Sequence, residues 1–134
     1  MGIGPVRRAV FLDRDGVINR NILNPVSGEY ESPHRPEDFE LAPGALNAIA
    51  RLRTAGYRLF LVSNQPSFAK GKTSLEAIQA IHARLQTALD GAGIAFDAFY
   101  YCYHHPDGIV PPDQNARPEA IGQIAHRRQG AGFG

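Results

Sequence analysis

The sequence predicts an α/β domain built on a parallel sheet flanked by helices. Three observations predict it. Short apolar, β-prone runs alternate with stretches of helical periodicity, an order that implies right-handed βαβ crossovers. Polar residues gather just past the ends of those runs, where open α/β sheets meet their ligands. The 134 residues are 43% hydrophobic and 20% charged, enough apolar content for one folded core.

The first strand is expected at about Ala9–Leu12, a short apolar run suited to a buried parallel strand. Residues 19–43 form a long polar segment with Pro25, Gly28, Pro33, Pro36 and Pro43. A connection that long packs over a site or carries short structure of its own. A helix is predicted at about Gly44–Ala55, with Leu46, Ile49 and Leu52 at helical spacing and Gly56 as its stop. Tyr57–Val62 reads as the second strand. Thr73 and Glu76 have the spacing of a capping box. Leu75, Ile78, Ile81, Leu85 and Leu89 then make an apolar stripe that ends near Asp90. Phe96–Tyr101 is the third strand. From Asp113 apolar residues thin out; a short helix fits Ala116–His126, and no further strand is visible.

Composition narrows the function classes. Fourteen basic against thirteen acidic residues leave a formal charge of +1, which supplies no general drive toward nucleic acid or membrane. The single cysteine, Cys102, excludes an internal disulfide and fits a reducing compartment. No apolar run reaches membrane-spanning length, and Met1 to Arg8 lacks the apolar stretch of a signal peptide. The expectation is a soluble cytoplasmic protein whose partner is a small metabolite, with no nucleic acid or membrane partner.

The chemistry centres on Asp13 and Asp15, which follow the first strand at i and i+2, with Gly16 next. Two carboxylates there can bind a divalent cation, and one can attack phosphorus while the other moves a proton. Alone, Asp-x-Asp is equally an acidic turn. The second strand ends in Ser63-Asn64-Gln65. A hydroxyl and exposed N–H groups at that place can hold phosphoryl oxygens, although an isolated Ser-Asn is more often a helix cap. Lys70 and Lys72 are either phosphate contacts or solvated surface charges.

Phe11-Leu12-Asp13-Arg14-Asp15-Gly16-Val17 and Leu61-Val62-Ser63-Asn64 resemble the first two motifs of the haloacid dehalogenase superfamily of aspartate-dependent phosphatases. With Ser63–Gly71 and Cys102–Gly108, the match narrows to its heptose bisphosphate and histidinol phosphatases and runs from about Ala9 to Pro111. The resemblance implies a Rossmann-like sheet and a Mg2+-dependent hydrolase of phosphorylated sugars. In it Asp13 becomes an aspartyl phosphate and Asp15 acts as acid and then base. Ser63, Asn64 and Gln65 bind the phosphate and substrate. Asp13, through its carboxylate, and Asp15, through its main-chain carbonyl, hold the metal. Residues 19–24 and 65–72 would touch substrate.

The chain also departs from that pattern. Cys102 and His104 match the start of a zinc loop, but the two further cysteines are absent, so zinc is not expected. His105 then reads as part of a polar turn or as a substrate contact. The family's Arg-Lys-Pro segment and its later Gly-Asp have no counterpart: the last lysine is Lys72 and the last carboxylate Glu119. Residues 1–112 are therefore expected to be the N-terminal part of such a phosphatase domain and residues 113–134 an atypical tail. A frame shift in the underlying codons would account for that tail, because the shifted frame permits Arg-Lys-Pro across Pro118–Ile121. Impaired turnover and uncovered apolar surface are the expected consequences.

Overall fold

The computed structural model describes residues 8–103 in full and the backbone of residues 122–124. Strand β1 (Ala9–Leu12) pairs in parallel with β4 (Arg58–Asn64), which pairs in parallel with β5 (Ala98–Cys102). Helices α1 (Ala45–Thr54) and α3 (Leu75–Gly91) occupy the two crossovers. This is the predicted α/β sheet, with its elements in the predicted order.

The core lies on one face. Leu59 and Leu61 of β4 and Phe99 and Tyr101 of β5 point into it, as alternation along paired strands requires. Ile78, Leu85 and Leu89 of α3 and Ile49 of α1 join the same cluster. The 3.6-residue spacing of the α3 stripe is thus spent entirely on core contact. On the opposite face Phe11 (65% exposed), Val62 (47%) and Tyr100 (38%) stand open, with the Phe11 and Phe60 rings stacked at 5.0 Å. Strand β1 alternates between exposed and half-buried residues and forms an edge of the described sheet, so it is parallel as expected but not the buried strand expected.

Residues 19–43 carry structure of their own. Strands β2 (Ile22–Leu23) and β3 (Tyr30–Glu31) form a small hairpin, and a 3-10 turn covers Pro36–Asp38. Lys72 Nζ reaches Glu31 Oε1 at 3.0 Å and ties this hairpin to the connection before α3. Hydrogen bonds from Ser27, then from Lys72 and Asn24, hold the Glu31 carboxyl down at about 2. Residues 66–69, expected in a loop, form the short helix α2 (Pro66–Ala69), with proline at the position where its missing N–H costs nothing.

Two boundaries differ from expectation. The α3 cap is Ser74, whose Oγ accepts from Ala77 N–H at 3.0 Å. Thr73 lies one residue before the cap, and its hydroxyl donates to His34 O at 2.8 Å. The predicted helix over residues 116–126 is also overturned where the structure describes it. Gly122–Ile124 form β6, antiparallel to β5, and give partners to edge N–H and C=O groups of that strand. His104, His105 and the rest of residues 104–121 and 125–134 lie outside the described residues.

Candidate active site

Strand β1 delivers Asp13 one residue past Leu12, and Leu12 lies beside Leu61 in the register. Ser63 is two residues past Leu61. The acidic pair and the hydroxyl therefore lie at the carboxyl ends of adjacent parallel strands, as the crossover rule for such sheets predicts.

The segment after β1 is a tight turn. Arg14 O accepts from the N–H groups of Val17, Ile18 and Asn19 at 3.1, 2.8 and 3.1 Å, and Asn19 O accepts from Gly16 N–H at 2.7 Å. Gly16 has φ +83°, and a Cβ there would stand 3.2 Å from Asn21 Nδ2. Both backbone strain and space thus call for glycine. Asp13 is exposed, and its Oδ1 accepts from Arg14 N–H at 2.8 Å. Its carboxylate faces solvent with capacity for a ligand.

Asp15 is held from every side. Oδ1 accepts from Arg14 Nε (3.1 Å), Arg14 Nη2 (2.9 Å) and Asn19 Nδ2 (3.1 Å). Oδ2 accepts from Gln65 Nε2 at 2.7 Å. The same Gln65 nitrogen donates to Ser63 Oγ at 2.8 Å, so three of the predicted site residues form one hydrogen-bonded chain across 50 positions of sequence. Ser63 and Gln65 are 2% and 1% exposed. Asn64 ends β4, exposed, and is paired in register with Cys102.

Sequence reasoning missed Arg14. A charged residue between two acids reads as a solvated turn, yet its side chain is fully buried. Its guanidinium stands 5.7 Å from the centroid of the Tyr101 ring. Burial works against the charge, but Tyr101 and Asp15 outweigh it and leave the Arg14 pKa above its usual value. Tyr101 is itself pushed up to about 12 by burial, and its hydroxyl meets His82 Nδ1 at 2.8 Å. Asn19 was expected only as a substrate neighbour; it is fully buried and braces Asp15.

The donor set suits a magnesium ion. Asp15 Oδ1 already accepts three hydrogen bonds and Oδ2 one, so the side chain is largely engaged and a single position on Oδ2 stays open. None of the hydrogen bonds that close the turn ends on Asp15 O. The Asp13 carboxylate and the Asp15 main-chain carbonyl are the more open oxygens. Magnesium accepts such a pair because it keeps several waters and takes phosphate oxygens as well. Among the described residues no cluster of three or more His, Cys, Asp or Glu side chains has metal-binding geometry. Cys102 is half-buried with a free thiol.

No family model matches the chain. Its curated relatives include the D-glycero-D-manno-heptose-1,7-bisphosphate 7-phosphatase of Thermosynechococcus vestitus, 42% identical over 110 residues, which covers 80% of this chain and 52% of that protein. The D-glycero-beta-D-manno-heptose-1,7-bisphosphate 7-phosphatase of Vibrio cholerae is 38% identical over 99 residues, 74% of this chain and 49% of its own length. Among solved structures, the D,D-heptose 1,7-bisphosphate phosphatase of B. bronchiseptica, complexed with magnesium and phosphate, aligns with a TM-score of 0.62 and 34% identity. That alignment covers 75% of this chain and 52% of the other. The chain spans about half the length of the curated relatives it matches.

Proposed function

We propose, for a chain whose relatives and fold are those of haloacid dehalogenase-like phosphatases, that its site hydrolyses a phosphate ester of a sugar through an aspartyl phosphate on Asp13. The observation that carries this reading is the Asp15–Gln65–Ser63 chain at the carboxyl ends of β1 and β4, beside an open Asp13 carboxylate.

Asp13 has the exposure a nucleophile needs, and its bond to Arg14 N–H engages one oxygen and leaves the other to attack. Asp15 is fixed by Arg14 and Asn19 on Oδ1, while Oδ2 has a single partner and so has capacity for a proton. It would protonate the leaving oxygen and then take a proton from the hydrolytic water. Ser63 donates to a phosphoryl oxygen and Asn64 completes the binding set, while the buried Gln65 supports Ser63 from behind. Asp13 and the Asp15 carbonyl would hold Mg2+, which when bound neutralises phosphoryl charge and orients the ester. The phosphatase names and the magnesium and phosphate complex among the relatives support this assignment.

The favoured substrate is the heptose 1,7-bisphosphate named for the relatives, with histidinol phosphate as the competitor. A cytoplasmic setting follows from the same reading; no helix among the described residues is long and apolar enough to cross a membrane. The given residues hold no lysine after Lys72 and no carboxylate after Glu119, so the family's Arg-Lys-Pro lysine and Gly-Asp carboxylate are not among them. A protein of these 134 residues alone is therefore expected to turn over weakly, since single groups acting on transition-state charge are worth about 10²–10³ in rate. A non-catalytic phosphometabolite- or protein-binding remnant is the reading left if turnover is nil.

The test is phosphate release from both substrates with Mg2+, by wild type and Asp13→Asn, alongside binding of orthovanadate. Release or vanadate binding that disappears in Asp13→Asn supports the site. Wild-type protein that neither turns over nor binds vanadate refutes it.

A further inference from the structure

Gln65 is almost completely buried, yet its side chain joins two of the groups assigned to phosphoryl chemistry. Its main-chain N–H donates to Cys102 O at 2.7 Å, which fixes the residue between the ends of β4 and β5. The Gln65 amide has its nitrogen side toward Asp15, with Nε2 donating to Oδ2 at 2.7 Å. That same NH2 group lies 2.8 Å from Ser63 Oγ. Both of its N–H bonds are therefore engaged, one on each partner.

The consequence falls on Ser63. A serine hydroxyl has one proton and two lone pairs. One lone pair faces Gln65, and an amide nitrogen cannot accept the proton in return. The Ser63 O–H must turn elsewhere. We infer that Gln65 is a positioning residue that holds Ser63 as a donor toward an incoming phosphoryl oxygen and sets Asp15 Oδ2 at a fixed place beside it. This rests on the phosphatase reading above and sharpens it. Gln65 then acts through Ser63 and Asp15 and not by touching substrate. Its size and its two donors matter together: a shorter amide would not span the two partners, and an isosteric apolar side chain would leave the hydroxyl free to rotate.

The experiment is a double-mutant cycle read by calorimetric binding of orthovanadate with Mg2+ to the full chain. Wild type, Ser63→Ala, Gln65→Met and the double variant are compared, with Asp13→Asn as reference. A hydrogen bond to a charged group is worth about tenfold to a hundredfold in affinity. Ser63→Ala and Gln65→Met are each expected to lose that much. The double variant should lose little more than either single, since coupled residues do not add. Fully additive losses, or no loss in Gln65→Met, overturn the inference while leaving the phosphatase reading intact. Failure of wild type to bind, or binding unchanged in Asp13→Asn, overturns that reading and this inference with it. Should Gln65→Met not fold, the side-chain amide protons of Gln65 are followed by NMR in wild type and Ser63→Ala. Both are expected to exchange slowly in wild type, and one to lose protection in Ser63→Ala. Exchange as fast as that of an exposed glutamine in wild type overturns the inference.

Discussion

Replacing Arg14 with methionine tests whether the turn after β1 is held together by a buried ion pair. The guanidinium is fully buried and gives Asp15 Oδ1 two donors at 3.1 and 2.9 Å. Removing one partner of a buried pair costs about 3–5 kcal/mol. The Asp15 side chain keeps 15% exposure and still has Asn19 and Gln65, which puts the cost near the low end of that range, about 3 kcal/mol. Against this, Arg14 Nη1 is buried with no hydrogen-bond partner among the described residues, and deleting an unsatisfied donor returns about 1 kcal/mol. The net expectation is a loss of about 2 kcal/mol, or about 8 °C in melting temperature for a chain of this length. Urea titration followed by far-ultraviolet circular dichroism measures it, with an unchanged slope as evidence that the folded state is otherwise the same. Adding Asp15→Asn to Arg14→Met removes the stranded charge and should recover about half of the loss. A single variant within about 0.5 kcal/mol of wild type, or a double variant no better than the single, would refute the reasoning.

Two further outcomes are expected. Glu31 has a folded-state pKa of about 2, below its ordinary 4.5, so its bonds to Ser27, Lys72 and Asn24 stabilise the fold above pH 4.5 and are lost as pH falls toward 2. Melting curves across that window should therefore fall less steeply for Glu31→Gln than for wild type; parallel curves would show that the tie is irrelevant. Ser74→Ala removes the α3 cap and should cost about 1 kcal/mol, whereas a mutation confined to Glu76 should cost much less; equal costs would restore the capping box read from Thr73.

The order of elements was legible because each rests on local periodicity: the α3 stripe, the apolar run of β4 and the stop at Gly56, where φ is +95°. The meeting of Asp15 with Ser63 was legible because both are offset from strand ends that parallel pairing sets side by side. What escaped depends on three-dimensional competition. The cap falls on Ser74, one residue past Thr73, whose hydroxyl is turned to His34 O, 39 residues away. Arg14 is buried because Asp15 and the Tyr101 ring meet it from two directions, and nothing in its immediate neighbours signals that. Strand β6 forms on an edge whose need for partners is invisible in the spacing of Gly122, Gln123 and Ile124. The covering of β1 could not be read at all, since a run such as Ala9–Leu12 looks alike whether one face or both are packed.

The turn at residues 13–19 has a practical consequence for mutational scanning. Arg14, Ile18 and Asn19 are at most 1% exposed, and three amides converge on one carbonyl there, while Asp13, Gly16 and Val17 reach out to water. Abundance and chemistry are therefore entangled at the buried positions of this segment and separable at Asp13. A screen that scores growth alone would rank the scaffold residues beside the proposed nucleophile. Only normalising each variant to its soluble yield would let Asp13 stand apart as the residue whose loss is expected to silence the molecule without unfolding it.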